Sequence, residues 1–323
     1  MDIRAVSEAH ALALRAEGRS EHTVSWYRVA VSQLSRFLAS RGLTEIEQVR
    51  TEHVRAFALW LKDSRSDNPL TGKARSLCDR SVRDRVAAIK GFFAFAAREG
   101  YLDRNPLEHY SLPKAEKRVI MPFTEAQVEA MLFGLNLKDR LELRNACILL
   151  FLLDTGVRVS ELCDLKREDV DLIAGVAKVM GKGRKERVVY FESTTKRLLI
   201  RYVYGGAKES QYLFTNRSGE KLSRGAVLDM VGDLARRVGV TGVRASPHTL
   251  RHTFAVRYLL AGGDQSSLQV LLGHSSSEMV QRYVHLTKAQ VQAQHSRFSP
   301  VERLGLGRVV ERLNSRRPRP SRP

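Results

Sequence analysis

The segment SPHTLRHTFA, residues 246–255, is the place in this sequence where residue types and spacing most directly describe chemistry. Ser246 is a good helix N-cap and Pro247 a good first helical residue. His248 and Arg251 then stand three apart on one helical face, in turns where backbone N–H groups and the helix dipole favour an anion. An imidazole that titrates near neutrality beside an always-charged guanidinium describes a phosphate site. His248 and His252 also have a metal-ligand spacing, but Thr249 occupies the position where an HExxH site needs its glutamate, so no metal is expected.

Three further segments carry polar residues that could act with this one. In DTGVRVSELCDL, residues 154–165, Gly156 suits a sharp helix end, and Ser160 with Glu161 suits a new helix start. Arg158 is thereby expected on a turn at the edge of a core. GKGRKER, residues 181–187, reads as a glycine-flanked basic turn with Lys182 at its tip; it lacks the GxxxxGK[ST] pattern of a phosphate-binding loop. LLGHSSSEMVQRYVH, residues 271–285, has Gly273 after an apolar helix, His274 in the turn, a Ser275/Glu278 capping box and Tyr283 on the helix that follows. Taken singly these have ordinary readings: a salt-bridged arginine, a solvated basic hairpin, a core tyrosine.

The elements that must position them are mostly helical. The first third has apolar residues at helical spacing in 24–38 (Val24, Tyr27, Val31, Leu34, Leu38), a second helix after Thr51, and a third through Val82, Val86, Ile89, Phe92 and Phe93 ending at Gly100. The region around 64–79 reads as a long loop. Pro106, Pro113 and Pro122 with basic residues between them mark a linker. We expect a first domain over 1–112, a linker over 113–122, a second domain over 123–300 and a basic, proline-rich tail over 301–323. In the second domain Thr124 and Gln127 form a capping box, RNACILLFLLDTG is a buried helix, VAKVM and ERVVYF form a β-hairpin, and helices resume from Ser223.

The 323 residues carry a formal net charge of +19 with 43% hydrophobic residues, a globular composition with a strong polyanion preference. No apolar run is long enough to span a bilayer, and the charged N-terminus does not read as a signal peptide, so a membrane partner is not expected and a cytoplasmic location is. The three dispersed cysteines, Cys78, Cys147 and Cys163, offer no disulfide framework and read as small buried hydrophobes.

The order Arg158, Lys182, His248, Arg251, His274, Tyr283 and the signatures TGVRVSEL, GKGRKER, HTLRHTFA, LGHSS and RYVH resemble the tyrosine recombinase (phage integrase) family. The resemblance extends over nearly the whole chain, in the Xer-like two-domain form without a preceding arm-binding domain. It implies a mainly α catalytic domain with a small β-sheet (α+β), a helical SAM-like core-binding domain, and a C-shaped clamp on DNA. It implies site-specific recombination, for integration, transposition or Xer-like resolution, through a 3′-phosphotyrosine on Tyr283, without metal, ATP or other cofactor. Arg158 and Arg251 would bind the phosphate, Lys182 would be the general acid, His248 the acid/base partner, and His274 a hydrogen-bond donor to the phosphate. The implied partner is double-stranded DNA with inverted-repeat core sites, bound by a homotetramer that exchanges C-terminal segments over 286–313, with a partner recombinase or accessory protein as a further possibility and the nucleoid as its place of work. Arg80, Arg83, Arg85, Lys90 and Lys185 are candidate DNA contacts. A type IB topoisomerase shares this chemistry, and a catalytically idle DNA-binding regulator would share the fold.

Overall fold

A computed structural model describes residues 1–63, 77–114, 120–181, 186–205 and 210–273. The chain divides into two compact units, Met1–Arg118 and Val119–Pro323, each with its own hydrophobic core. The expected 64–79 loop lies largely outside the described residues, as do the middle of the expected linker and the C-terminal tail.

The first unit is helical throughout. α1 (Ile3–Ala16) is capped by the Asp2 carboxylate, and α2 (Glu21–Ala39) by Ser20, whose hydroxyl accepts from the Thr23 N–H. α3 (Thr51–Asp63) and α4 (Asp79–Arg98) complete it. The apolar stripe expected from Val82 to Phe93 is the buried face of α4, where it meets Val31, Leu34 and Phe37 of α2 and Phe57 of α3. α1 is a helix beyond those expected, with Val6, His10 and Leu14 at helical spacing on its buried side. His10 is packed between Tyr27, Phe92 and Phe95, and burial lowers its pKa to about 4. It is a neutral core histidine at physiological pH.

The second unit is built around α6 (Arg140–Thr155), the apolar helix expected from RNACILLFLLDTG. Asp139 caps its start, and Gly156 ends it in the left-handed conformation (φ 61°), which a residue with a Cβ adopts only with strain. Before it, α5 (Glu125–Phe133) opens on the expected Thr124/Gln127 capping box. α7 (Val159–Asp164) follows one turn after Gly156. The expected hairpin is present as β2 (Val176–Met180) and β3 (Glu186–Tyr190), antiparallel with Val176 opposite Tyr190 and Met180 opposite Glu186. A two-residue β1 (Val170–Asp171) adds a third strand. A strand of two residues shows no alternation and so leaves no periodic pattern in the sequence. α8 (Ser193–Tyr204), α9 (Arg224–Arg237), α10 (Pro247–Leu260) and α11 (Gln265–Leu272) complete the described part, with α10 and α8 both packed on α6.

The architecture is the expected one, mainly α with a small sheet. Cys147 and Cys163 are buried, and burial pushes their thiols up to about 12 and about 11; Cys78 departs from the expectation and is exposed at the start of α4. No helix among the described residues is long and apolar enough to cross a membrane.

Candidate active site

Three of the six residues singled out in the sequence are described, and they come from two parts of the second unit, the start of α7 and the first turns of α10, which meet at the C-terminal end of α6. Ser246 accepts from the Thr249 N–H at 3.2 Å, as an N-cap should, and Pro247 is the first residue of α10. Thr249 and Thr253 turn inward: Thr253 donates to the Thr249 carbonyl and accepts from the Phe123 N–H. These bonds seat the first turns of α10 in the core.

Arg251, on that buried face, is 4% exposed. Its guanidinium donates from Nη1 to the carbonyl of Gly156 and from Nη2 to the carbonyl of Leu272 at 2.8 Å. His248, one turn earlier, is exposed, yet enough protein surrounds it that desolvation, followed by Arg251 and Arg244, lowers its pKa. A neutral imidazole at physiological pH can accept a proton. His252 is buried, and burial lowers its pKa as well; its neighbour Ile120 and the charge on His248 act more weakly and in opposite senses. Among the described residues no group of three or more His, Cys, Asp or Glu side chains could hold a metal.

Arg158 is itself the N-cap residue of α7, where Ser160 was expected to open the helix. The helix starts there because Glu161 folds back: its Oε2 accepts from the Arg158 N–H at 2.7 Å. Its other oxygen takes the Arg158 guanidinium at 2.8 Å, and Arg158 Nη2 reaches the Gly273 carbonyl at 3.3 Å. The Arg158 side chain remains 35% exposed. Arg251 is thus fixed and covered, while Arg158 is fixed at one edge and open at the other.

Sequence reasoning missed two residues in this cluster. Glu161 is more than the helix-start residue expected of it: its side chain is almost wholly buried. Burial would raise its pKa; the Arg187 guanidinium, the Arg158 N–H and the Arg158 guanidinium outweigh this and hold it below the usual carboxylate range. Arg187, on β3, places Nη1 and Nη2 on the two Glu161 oxygens at 2.7 Å each, and its Nε donates to the Leu271 carbonyl at 2.9 Å. The available signal was its register. Arg187 lies two residues from buried Val189, so it points to the inner face of the strand, where an unpaired cation would not be stable.

The C-terminal end of α11 therefore presents three successive carbonyls, Leu271, Leu272 and Gly273, to three arginines, Arg187, Arg251 and Arg158. These are the orphan acceptors at the negative pole of the helix. Lys182, His274 and Tyr283 lie outside the described residues, as does Lys185. The remaining candidate DNA contacts are on α4. Arg80 is exposed and pairs with Asp84. Arg83 donates to the Pro113 carbonyl, and Lys90 to those of Glu108 and Tyr110, which binds the end of the first unit along α4. Arg85 is half-buried, and burial lowers its pKa.

Comparison with known proteins identifies the family. Residues 122–290 match the phage integrase family, and residues 11–100 match the phage integrase N-terminal SAM-like domain. The chain is 33% identical to the tyrosine recombinase XerC of Bacillus licheniformis over 87% of this chain and 91% of that protein. It is 32% identical to XerD of Pseudomonas aeruginosa over 88% and 93%. In fold it is similar to the Tn1549 transposon integrase in complex with transposon right end DNA, with a TM-score of 0.71 at 22% identity, covering 93% of this chain and all of that one. It is also similar to a lambda integrase dimer bound to a core site, with a TM-score of 0.69 at 20% identity over 86% and 97%. The chain belongs to the phage integrase family and is a tyrosine-type site-specific DNA recombinase.

Proposed function

We propose that the arginine cluster at the end of α11 is the scissile-phosphate site and that Tyr283 is the nucleophile. The observation that carries this reading is that Arg251 and Arg158 hold consecutive carbonyls, Leu272 and Gly273, at the point where the chain continues toward His274 and Tyr283. Two guanidinia so held offer a preorganised cationic site for the charge that builds on the non-bridging oxygens of a phosphodiester under attack.

In this reading the Tyr283 phenol attacks the phosphorus. Its bond to the DNA 3′-oxygen side is retained as a 3′-phosphotyrosine, the bond to the 5′-oxygen breaks, and the 5′-hydroxyl leaves. The phenol proton goes to His248, whose lowered pKa leaves it free to accept; Lys182 protonates the leaving oxygen, and His274 donates to the phosphate. Ionising a phenol of pKa near 10 at pH 7 in advance would cost about 4 kcal/mol, so proton transfer during attack matters. The ester conserves the bond energy, so a second 5′-hydroxyl can reverse the step on another strand without ATP, metal or other cofactor.

The substrate is duplex DNA carrying inverted core sites. Arg80, Arg83, Arg85, Lys90 and Lys185 contribute phosphate or groove contacts, and four copies assemble by exchanging residues 286–313, with a partner recombinase or accessory protein joining at some sites. The place of work is the cytoplasm, on the nucleoid. The domain limits 1–112, 123–300 and 301–323, joined by 113–122, go with this division of labour.

The test is a nicked suicide duplex, which traps the covalent intermediate because the short 5′-fragment diffuses away. The wild-type protein should give a denaturation-resistant protein–DNA adduct, and Tyr283→Phe should give none. An undiminished adduct in that variant would overturn the assignment of the nucleophile.

A further inference from the structure

We propose that Arg187 is a positioning residue for strand cleavage: through Glu161 it sets the Arg158 guanidinium, and through the Leu271 carbonyl it ties that setting to the end of α11. The proposal rests on the reading that Arg158 binds the scissile phosphate.

Glu161 is a single buried carboxylate serving two arginines. Arg187 occupies both of its oxygens in a fork, while Arg158 shares only Oε1. The fork fixes the plane of the carboxylate, and a carboxylate fixed in plane gives Arg158 one direction in which to bond. Without the fork, Glu161 can rotate, and Arg158 is its one remaining cation among the described residues. Arg158 would then be drawn onto both oxygens, away from any phosphate. The Arg187 side chain is 10% exposed, against 35% for Arg158, so it is placed to hold rather than to touch a ligand.

The third donor makes this more than an ion pair. Nε of Arg187 bonds the Leu271 carbonyl, and the Gly273 backbone approaches so closely that a Cβ there would lie 3.0 Å from Arg187 Cδ. One side chain of β3 thereby joins the α7 start, which carries Arg158, to the α11 end, which leads to His274 and Tyr283. β3 also begins directly after residues 182–185, which include Lys182 and Lys185. A lysine at 187 keeps the charge but has one nitrogen, which cannot hold two carboxylate oxygens and a carbonyl in this fan.

The experiment compares Arg187→Lys and Arg187→Gln with the wild type on the nicked suicide duplex, at saturating protein, alongside the DNA dissociation constant and the thermal midpoint. Arg187→Lys leaves Glu161 a cationic partner and is the variant that keeps the fold. The expected result is a single-turnover cleavage rate lowered ~10-fold or more in both variants, with the dissociation constant changed less than about threefold. A second arm uses the Arg158→Ala background. If Arg187 acts largely through Arg158, adding Arg187→Lys there should lower the rate by less than about threefold. Wild-type cleavage by Arg187→Lys would overturn the proposal, and so would a full multiplicative loss in the Arg158→Ala background, which marks an independent structural role. If Arg158→Ala alone cleaves at the wild-type rate, it is the phosphate-site reading that fails.

Discussion

At the scale of single residues, the two candidate phosphate arginines differ in how they are held, and this sets what each substitution should do. Arg251 is nearly inaccessible and bonds two carbonyls, so removing it leaves the Gly156 and Leu272 oxygens short of a donor as well as removing a charge. Arg158 is more open, and its loss leaves Glu161 still paired with Arg187. Arg158→Ala should therefore lower cleavage by ~10²-fold or more while leaving stability nearly intact, since one donor to a transition-state oxyanion is worth about that much. Arg251→Ala should lose cleavage and also some stability, about 1–3 kcal/mol for the orphaned acceptors. Both should change DNA affinity far less than cleavage, because many other phosphate contacts remain. Gel-shift titration beside adduct formation decides the matter; parallel loss of the two would contradict a role in the chemistry. His248, Arg251 and Arg158 could be picked from the sequence because helix-start rules and the ordered signatures point to them directly. Glu161 and Arg187 could not, because their roles come from a contact across 26 positions of chain between a helix start and a strand. Local patterning shows a glutamate near an N-terminus and an arginine in a strand, and leaves the pairing open.

At the scale of elements, helices with strong caps were legible and the pieces without periodicity were not. Ser20, Thr124, Ser223 and Ser246 announce α2, α5, α9 and α10, and Gly156 announces the end of α6. β1 is too short for a pattern, and α7 begins on an arginine whose capping works through a glutamate three residues later. Gly156 is more than a stop signal. It sits at φ 61°, and a Cβ on it would fall 2.2 Å from Phe254 Cδ1. Gly156→Ala should therefore cost roughly 2–4 kcal/mol, from backbone strain together with overpacking against α10. Gly239 has a similar φ of 72° but open space around it, so Gly239→Ala should pay only the backbone part, about 1 kcal/mol. Urea midpoints of the two variants check this; equal losses would show that Phe254 moves aside freely.

At the scale of the whole molecule, charge was the most legible property and it points outward. A net +19 exceeds what the internal pairs need: Arg158, Arg187 and Glu161 alone leave one surplus positive charge buried or half-buried at the site. DNA binding should accordingly fall steeply with salt. If six to ten phosphates are neutralised, affinity should drop ~10³- to 10⁵-fold between about 50 and 200 mM monovalent salt. Fluorescence anisotropy on a core-site duplex at several salt concentrations gives the slope, and a flat response would contradict a backbone-dominated grip. The two units, each with a separate core, follow from what the sequence makes plain, two helical regions rich in apolar stripes. Which residues meet at the site depends on how α6, α7, β3, α10 and α11 pack, and no single window of sequence contains that.

The three arginines meet the end of α11 through its main-chain oxygens, not through its side chains. Successive carbonyls on a helix are turned by 100° from one another, so an insertion or deletion of one residue within 265–272 would re-aim all three oxygens together. Within this stretch, then, length matters more than spelling: a substitution that respects burial leaves the three oxygens aimed as they are, whereas a one-residue change in length does not.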